Sequence, residues 1–140
     1  MDFFTKLSSQ NPQTIIIIGP NHLEKGTHHA LSSHNSWNTS FGNVEPNLPI
    51  IKELLDSNLM QIDEDVLAND QTVTAIMPFI KISLPDTRVV PILLSGFTTE
   101  YETQKLANAL KEYINKDTVI IASVDFSHYL TNPKADEKDK

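Results

Sequence analysis

The stretch that decides the fold is Ile15-Ile16-Ile17-Ile18-Gly19-Pro20-Asn21-His22. Four consecutive β-branched residues make an apolar run too short for a helix and suited to a strand buried on both faces. Gly19-Pro20 ends it, because glycine relaxes the limits on φ and proline removes a ladder donor. An amide and an imidazole, Asn21 and His22, are thereby delivered at the C-terminal end of a buried strand, the edge at which open α/β sheets bind ligands. Taken alone, such a histidine is more simply read as a hydrogen-bonding loop residue.

A second stretch shifts that balance. Thr118-Val119-Ile120-Ile121-Ala122-Ser123 is another buried-strand pattern, and Val124-Asp125-Phe126-Ser127-His128-Tyr129 follows it. If the two strands are parallel, His22, Asp125 and His128 leave the same sheet edge and can converge. Two histidines and one carboxylate have the composition of a facial triad for non-heme Fe(II) or a similar divalent metal. A hydrolytic reading, with Ser127 as nucleophile and His128 as base, is weaker. Adjacent side chains diverge on an extended backbone, and no Gly-x-Ser-x-Gly elbow is present. A purely structural reading makes Asp125-Phe126-Ser127-His128 an Asx-type turn capping the strand.

Around these stretches the chain alternates strand and helix signals. Residues 14–18, 88–94 and 118–123 read as strands, with Pro91 marking a bend or one-sided pairing. Asn47 caps a helix over 47–57 that carries Pro49 in its first turn. A second helix is expected over 70–82, kinked at Pro78, with Val73, Ile76, Met77 and Ile80 toward the sheet. Thr99-Glu100-Tyr101-Glu102 is a capping box opening a helix over 99–114. Residues 2–9 read as helix, Ala30–Ser33 as a short strand and Leu59–Ile62 as a short edge strand. The architecture expected is α/β, one domain over residues 1–140 with a mostly parallel sheet flanked by helices. The charged tail at 130–140 is expected to fray.

Composition narrows the partners. The 140 residues carry a formal net charge of −7 and show no basic stripe, which argues against nucleic acid or an anionic membrane. There is no cysteine, so neither disulfides nor thiolate chemistry arise within this chain. The N-terminal residues lack a basic n-region followed by an apolar core, and no apolar run approaches the roughly 20 residues of a membrane span. The expected compartment is the cytoplasm. His28, His29 and His34 sit in a polar loop and are expected outside any metal shell. Trp37 and Phe41 read either as pocket shields or as ordinary loop packing. Asp63-Glu64-Asp65 reads as a solvated bend. Asp70 lies in a helix's first turn, where the helix dipole favours a carboxylate.

These residues carry a resemblance. Gly19-Pro20-Asn21-His22, the Trp37-to-Gly42 loop, Met77-Pro78-Phe79-Ile80, Val90-Pro91-Ile92 and Ser123-Val124-Asp125-Phe126-Ser127-His128-Tyr129 occur in that order. Together they resemble the MEMO family, also called the AmmeMemoRadiSam system protein B family, over about Thr14 to Ala135. Its fold is related to the class III extradiol (LigB-type) dioxygenases.

The resemblance implies a metal centre with His22 as a direct ligand, and it places Asp125 and His128 in the same pocket as acid/base groups. From its place at the strand end, Asn21 is expected at the same mouth as a cofactor-binding residue. The divalent metal implied is iron, alternatively copper or zinc. Two family ligands have no counterpart here: an upstream histidine in an Ala-Pro-His-Ala-Gly-Tyr motif and, in some members, a downstream cysteine. Asp70-Gln71-Thr72 stands where the family has Glu-His-Ser. Members are longer chains, so this one reads as a central fragment or a reduced member, expected to self-associate through an uncovered edge. Two functions follow as expectations: metal-dependent redox or dioxygenase-like chemistry on an unidentified small molecule, or a non-catalytic module that holds a peptide or protein in the pocket.

Overall fold

The structure is a computed structural model that describes residues 3–125, 127 and 129–139. His128 and Phe126 lie outside the described residues. In chain order the elements are α1 (Phe3–Ser8), β1 (Thr14–Pro20), β2 (Ala30–Ser32), β3 (Trp37–Thr39), β4 (Gly42–Val44), α2 (Leu48–Asp56), β5 (Gln61–Ile62), α3 (Glu64–Asn69), α4 (Gln71–Thr74), α5 (Met77–Ser83), β6 (Arg88–Leu94), α6 (Glu100–Lys111), β7 (Thr118–Ala122) and α7 (Asn132–Lys138).

The isoleucine run is the middle of the molecule. β1 lies between β6 and β7 and is parallel to both, with Ile16 opposite Val90 on one side and Ile120 on the other. The five-stranded order is β5-β2-β6-β1-β7. Direction reverses at β2, which is antiparallel to β6, and β5 pairs parallel to β2 at the far edge. β3 and β4 form a separate hairpin across Trp37 and Val44.

Unbroken apolarity in β1 has a direct structural meaning. Ile15 and Ile17 enter a core with Val73, Met77 and Ile80 of the short helices, and Leu7 of α1. Ile16 enters the opposite core, with Ile51 and Leu54 of α2 and Leu106 and Leu110 of α6, and Ile18 packs against it. Layers on both faces remove the polar face that would have produced an alternating pattern. Burying each such isoleucine contributes about 1.5–3 kcal/mol.

The helices differ most from the sequence reading between residues 64 and 83. The single kinked helix expected over 70–82 is two short helices, α4 and α5, with α3 preceding them at 64–69. Pro78 stands in the first turn of α5, where its missing N–H costs no helical bond, so it starts a helix and does not bend one. Asp63-Glu64-Asp65 is not a free bend either. Asp63 caps α3 by accepting from the Val66 amide at 3.0 Å. Glu64 takes the Ser33 hydroxyl and the His34 amide. The capping box at Thr99 and Glu102 is present and opens α6, which ends at Lys111, three residues before 114. Trp37 packs partly against the core while Phe41 is exposed. α7 buries none of its residues. Among the described residues no helix is long and apolar enough to cross a membrane.

Candidate functional site

The site forms where β1 and β7 end together. The Ser123 amide donates to the Ile18 carbonyl at 2.8 Å, carrying the parallel pairing one residue beyond β7. Gly19 allows this closeness. A Cβ built there would stand 2.1 Å from Thr72 Cγ2 and 2.4 Å from the Ser123 carbonyl oxygen. The start of α4 and the exit of β7 therefore close on β1 only because no side chain intervenes. Ser123 Oγ then donates to the Thr72 carbonyl at 2.8 Å, locking the two arms to each other.

Within that junction a buried carboxylate organises His22. Asp70 ends α3 and caps α4, and its side chain is fully buried. It accepts from the Thr72 amide at 2.8 Å and from the His22 amide at 2.9 Å. The His22 ring nitrogen Nδ1 lies 3.3 Å from Asp70 Oδ1 and 2.8 Å from Thr72 Oγ1. The Thr72 hydroxyl has one proton, which it donates to the Pro20 carbonyl at 2.9 Å. It must therefore accept from the ring, so Nδ1 carries hydrogen. That leaves Nε2 as the outward nitrogen, 3.4 Å from Asp125 Oδ2. A neutral ring with this tautomer would point a lone pair at a carboxylate. The geometry is relieved by a positive charge between them, whether a proton or a metal ion.

Electrostatics agree in sign. Burial by itself pulls the His22 imidazole down, but the hydrogen bonds and negative charges of Asp70 and Asp125 outweigh it and hold the group above its ordinary value. Asp70 is opposed by burial and still held below its usual range, by Thr72 and the His22 amide and ring. In metal-free protein the His22 ring should therefore titrate above the ordinary 6.5 when followed by proton NMR. Asp125→Asn should lower that midpoint, and an unchanged midpoint would show that Asp125 does not act on the ring.

The hollow beside the ring has a volume of about 210 Å³ and is lined by His22, Gln71, Thr72, Ala75, Ile76, Ser123 and Asp125. His22 and Asp125 are thus brought together, while His128 lies outside the described residues. Asn21 is not among the lining residues. It is buried, its Nδ2 donates to the Lys25 carbonyl at 2.7 Å, and its Oδ1 has no partner among the described residues. His28, His29 and His34 are engaged elsewhere, with Ala30, Glu102 and Glu64 respectively. Trp37 and Phe41 do not line the hollow. The residues that the sequence reading passed over are Asp70, assigned only to the helix dipole, and Thr72. An aspartate two residues before a threonine is an Asx-type cap signal, but nothing local says that a histidine 48 residues away shares it.

The donor chemistry fits part of a metal centre. An imidazole whose Nδ1–H is held by a hydroxyl with a carboxylate beside it, and whose Nε2 faces outward, has the arrangement of metal-ligating histidines. A 3.4 Å separation between Nε2 and Asp125 Oδ2 suits adjacent donors of one divalent ion, each about 2.1 Å from it. Among the described residues, no group of three or more His, Cys, Asp or Glu side chains is placed to hold a metal.

Comparison with known proteins agrees with the fold. The family model for Memo-like protein matches residues 2–140. A MEMO1 family protein from Sulfurisphaera tokodaii is 32% identical over 133 residues, covering 91% of this chain and 47% of its own length. One from Thermococcus onnurineus is 34% identical over 126 residues, covering 84% of this chain and 43% of its own length. One from Nitrosopumilus maritimus is 30% identical over 140 residues, 98% of this chain and 50% of its own length. The chain thus spans about half the length of the relatives it matches. With the match running through both arms of the β1–β7 junction, the chain belongs to the Memo-like protein family.

Proposed function

We propose that this chain supplies the His22 half of a divalent-metal pocket and that the complete site carries out metal-dependent redox chemistry of the dioxygenase-like type on a small oxygen-donor molecule. The observation that supports this is the anchoring of His22 Nδ1 by Asp70 and Thr72, which leaves Nε2 free beside Asp125. His22 Nε2 and the Asp125 carboxylate are the groups that would hold the ion, iron or alternatively copper or zinc. When bound, such an ion supplies a Lewis-acidic, redox-capable centre.

The chain's own residues do the rest. Thr72 fixes the ring's tautomer, and Asp70 helps to hold its orientation. Asp125 balances positive charge at Nε2. His128, three residues after Asp125 in the sequence, is the group assigned to move protons. Ala75 and Ile76 give the hollow an apolar wall.

Isothermal titration of Zn(II) into the metal-free chain tests the reading. Weak, stoichiometric binding is expected, lost in His22→Ala and reduced in Asp125→Asn. Equal binding by wild type and His22→Ala would overturn it. Gln71 favours a second reading. It lines the hollow where a titratable group would serve catalysis, so a non-catalytic module holding a peptide there would show no metal dependence at all.

A further inference from the structure

A second hollow opens over the α2–α6 core, on the sheet face away from α4 and α5. Its floor is apolar and is made by Ala30, Leu59, Leu94 and Leu106 of that core. It has a volume of about 180 Å³ and shares no lining residue with the hollow beside His22.

His29 and Lys105 supply its polar side. The His29 backbone is pinned, because its carbonyl accepts from the Ser95 amide at 2.8 Å and from the Thr98 hydroxyl at 3.2 Å. The ring Nδ1 lies 3.0 and 2.9 Å from the two oxygens of Glu102. Glu102 is the capping-box residue of α6, and the Thr99 hydroxyl, the His29 ring and the Thr99 amide hold its carboxyl down at about 2. An ionised carboxylate only accepts, so the His29 ring carries hydrogen at Nδ1 and Nε2 is its uncommitted nitrogen. Lys105 follows Tyr101 by one helical turn and sits over its ring, with Nζ 4.6 Å from the centre. Lys105 forms no ion pair among the described residues, whereas Glu102 is already matched to His29.

These features define a ligand. The apolar floor and the Tyr101 ring favour an apolar body, and an unmatched ammonium beside an imidazole backed by a carboxylate favours an anionic head. With Nε2 protonated, the ring donates to that head and Glu102 balances its charge. Lys105 is the only lysine or arginine among the lining residues, which suits a single negative charge better than a phosphate. A cavity of about 150 Å³ holds benzene, so this hollow accommodates one six-membered ring with its head at the rim.

We propose that the hollow between β2 and α6 is a binding site for an aromatic monocarboxylate, independent of the metal-dependent reading of the His22 site. The ring lies on Leu59, Leu94 and Leu106, and the carboxylate bridges Lys105 Nζ and His29 Nε2.

Titration of benzoate into the full 140-residue chain, followed by heteronuclear NMR, tests this. Saturable shifts are expected at the amides of Ala30, Thr98 and Tyr101, with none at Ser123 or Asp125 beside His22. Benzamide has the shape without the charge, and acetate has the charge without the ring; each should bind about tenfold more weakly. Lys105→Gln and His29→Gln should each weaken benzoate about fivefold with circular dichroism unchanged. Lys111→Gln, further along α6 and outside the hollow, should leave binding as it is. The proposal is overturned by an absence of saturable shifts at those amides or by equal affinity for benzoate and benzamide. Benzoate binding that survives either substitution unchanged would also overturn it, as would shifts centred on Asp125, which would assign benzoate to the His22 hollow.

Discussion

Gly19→Ala should destabilise the protein by about 3 kcal/mol, the upper end of ordinary overpacking. The added Cβ would stand 2.4 Å from the Ser123 carbonyl oxygen, a backbone atom that cannot rotate aside. It would also stand 2.1 Å from Thr72 Cγ2. Relief requires β7 to separate from β1 or α4 to lift away, and either motion breaks the Ser123–Thr72 hydrogen bond. In a domain of this size each kcal/mol lowers Tm by about 3 °C, so a drop near 10 °C is expected. The His22 titration should change with it, because Thr72 is the ring's nearest partner. A variant that melts within about 1 °C of wild type would show that the junction is looser than its distances indicate.

Asp70→Ala should cost a similar amount, about 3 kcal/mol, by a different route. It removes the cap of α4, worth about 1 kcal/mol. It also leaves the Thr72 and His22 amides without their acceptor, at about 1–3 kcal/mol for a buried unsatisfied donor. Asp70→Asn keeps one acceptor oxygen and should lose less stability, yet it removes the charge that favours the imidazolium. The pH dependence has a definite sign. Asp70 is held below its ordinary 3.8, so its contribution is present above that value and is lost as pH falls through the folded pKa. His22 is held above 6.5, so its contribution is complete below 6.5 and is lost as pH rises through the folded pKa. Urea unfolding of wild type should show the pair's full contribution between about pH 4 and 6.5. In Asp70→Ala that region should flatten, and an undiminished pH profile would mean the pair is not coupled.

Both predictions rest on contacts that are remote in sequence, which bears on what could be read in advance. The isoleucine run, its stop at Gly19-Pro20, the capping box at Thr99 and the strands at 88–94 and 118–123 were legible because each is a local pattern. Strand burial, turn geometry and helix caps act within a few residues, so composition and spacing carry them directly. The parallel pairing of β1 and β7, and with it the meeting of His22 and Asp125 at one edge, also followed from two similar strands separated by helices.

Other features belonged to the tertiary structure alone. The reversal at β2 depends on which edge of β6 is free, and a three-residue strand holds no record of its partner's direction. The extra helix at 64–69 and the division of 70–82 reflect the side-chain caps from Asp63 and Asp70 and the start of a new helix at Met77-Pro78. Asn21, adjacent to His22 in sequence, turned inward to the Lys25 carbonyl, because a side chain's direction past a strand end is set by the turn that follows. Asp70 became the organiser of the site only when packing removed it from water and placed two amides and an imidazole within its reach. Residue type and spacing by themselves determined which groups could do chemistry and on which strands they ride. Which of them meet was decided by long-range packing at Gly19, where the absence of one methyl group lets three segments touch.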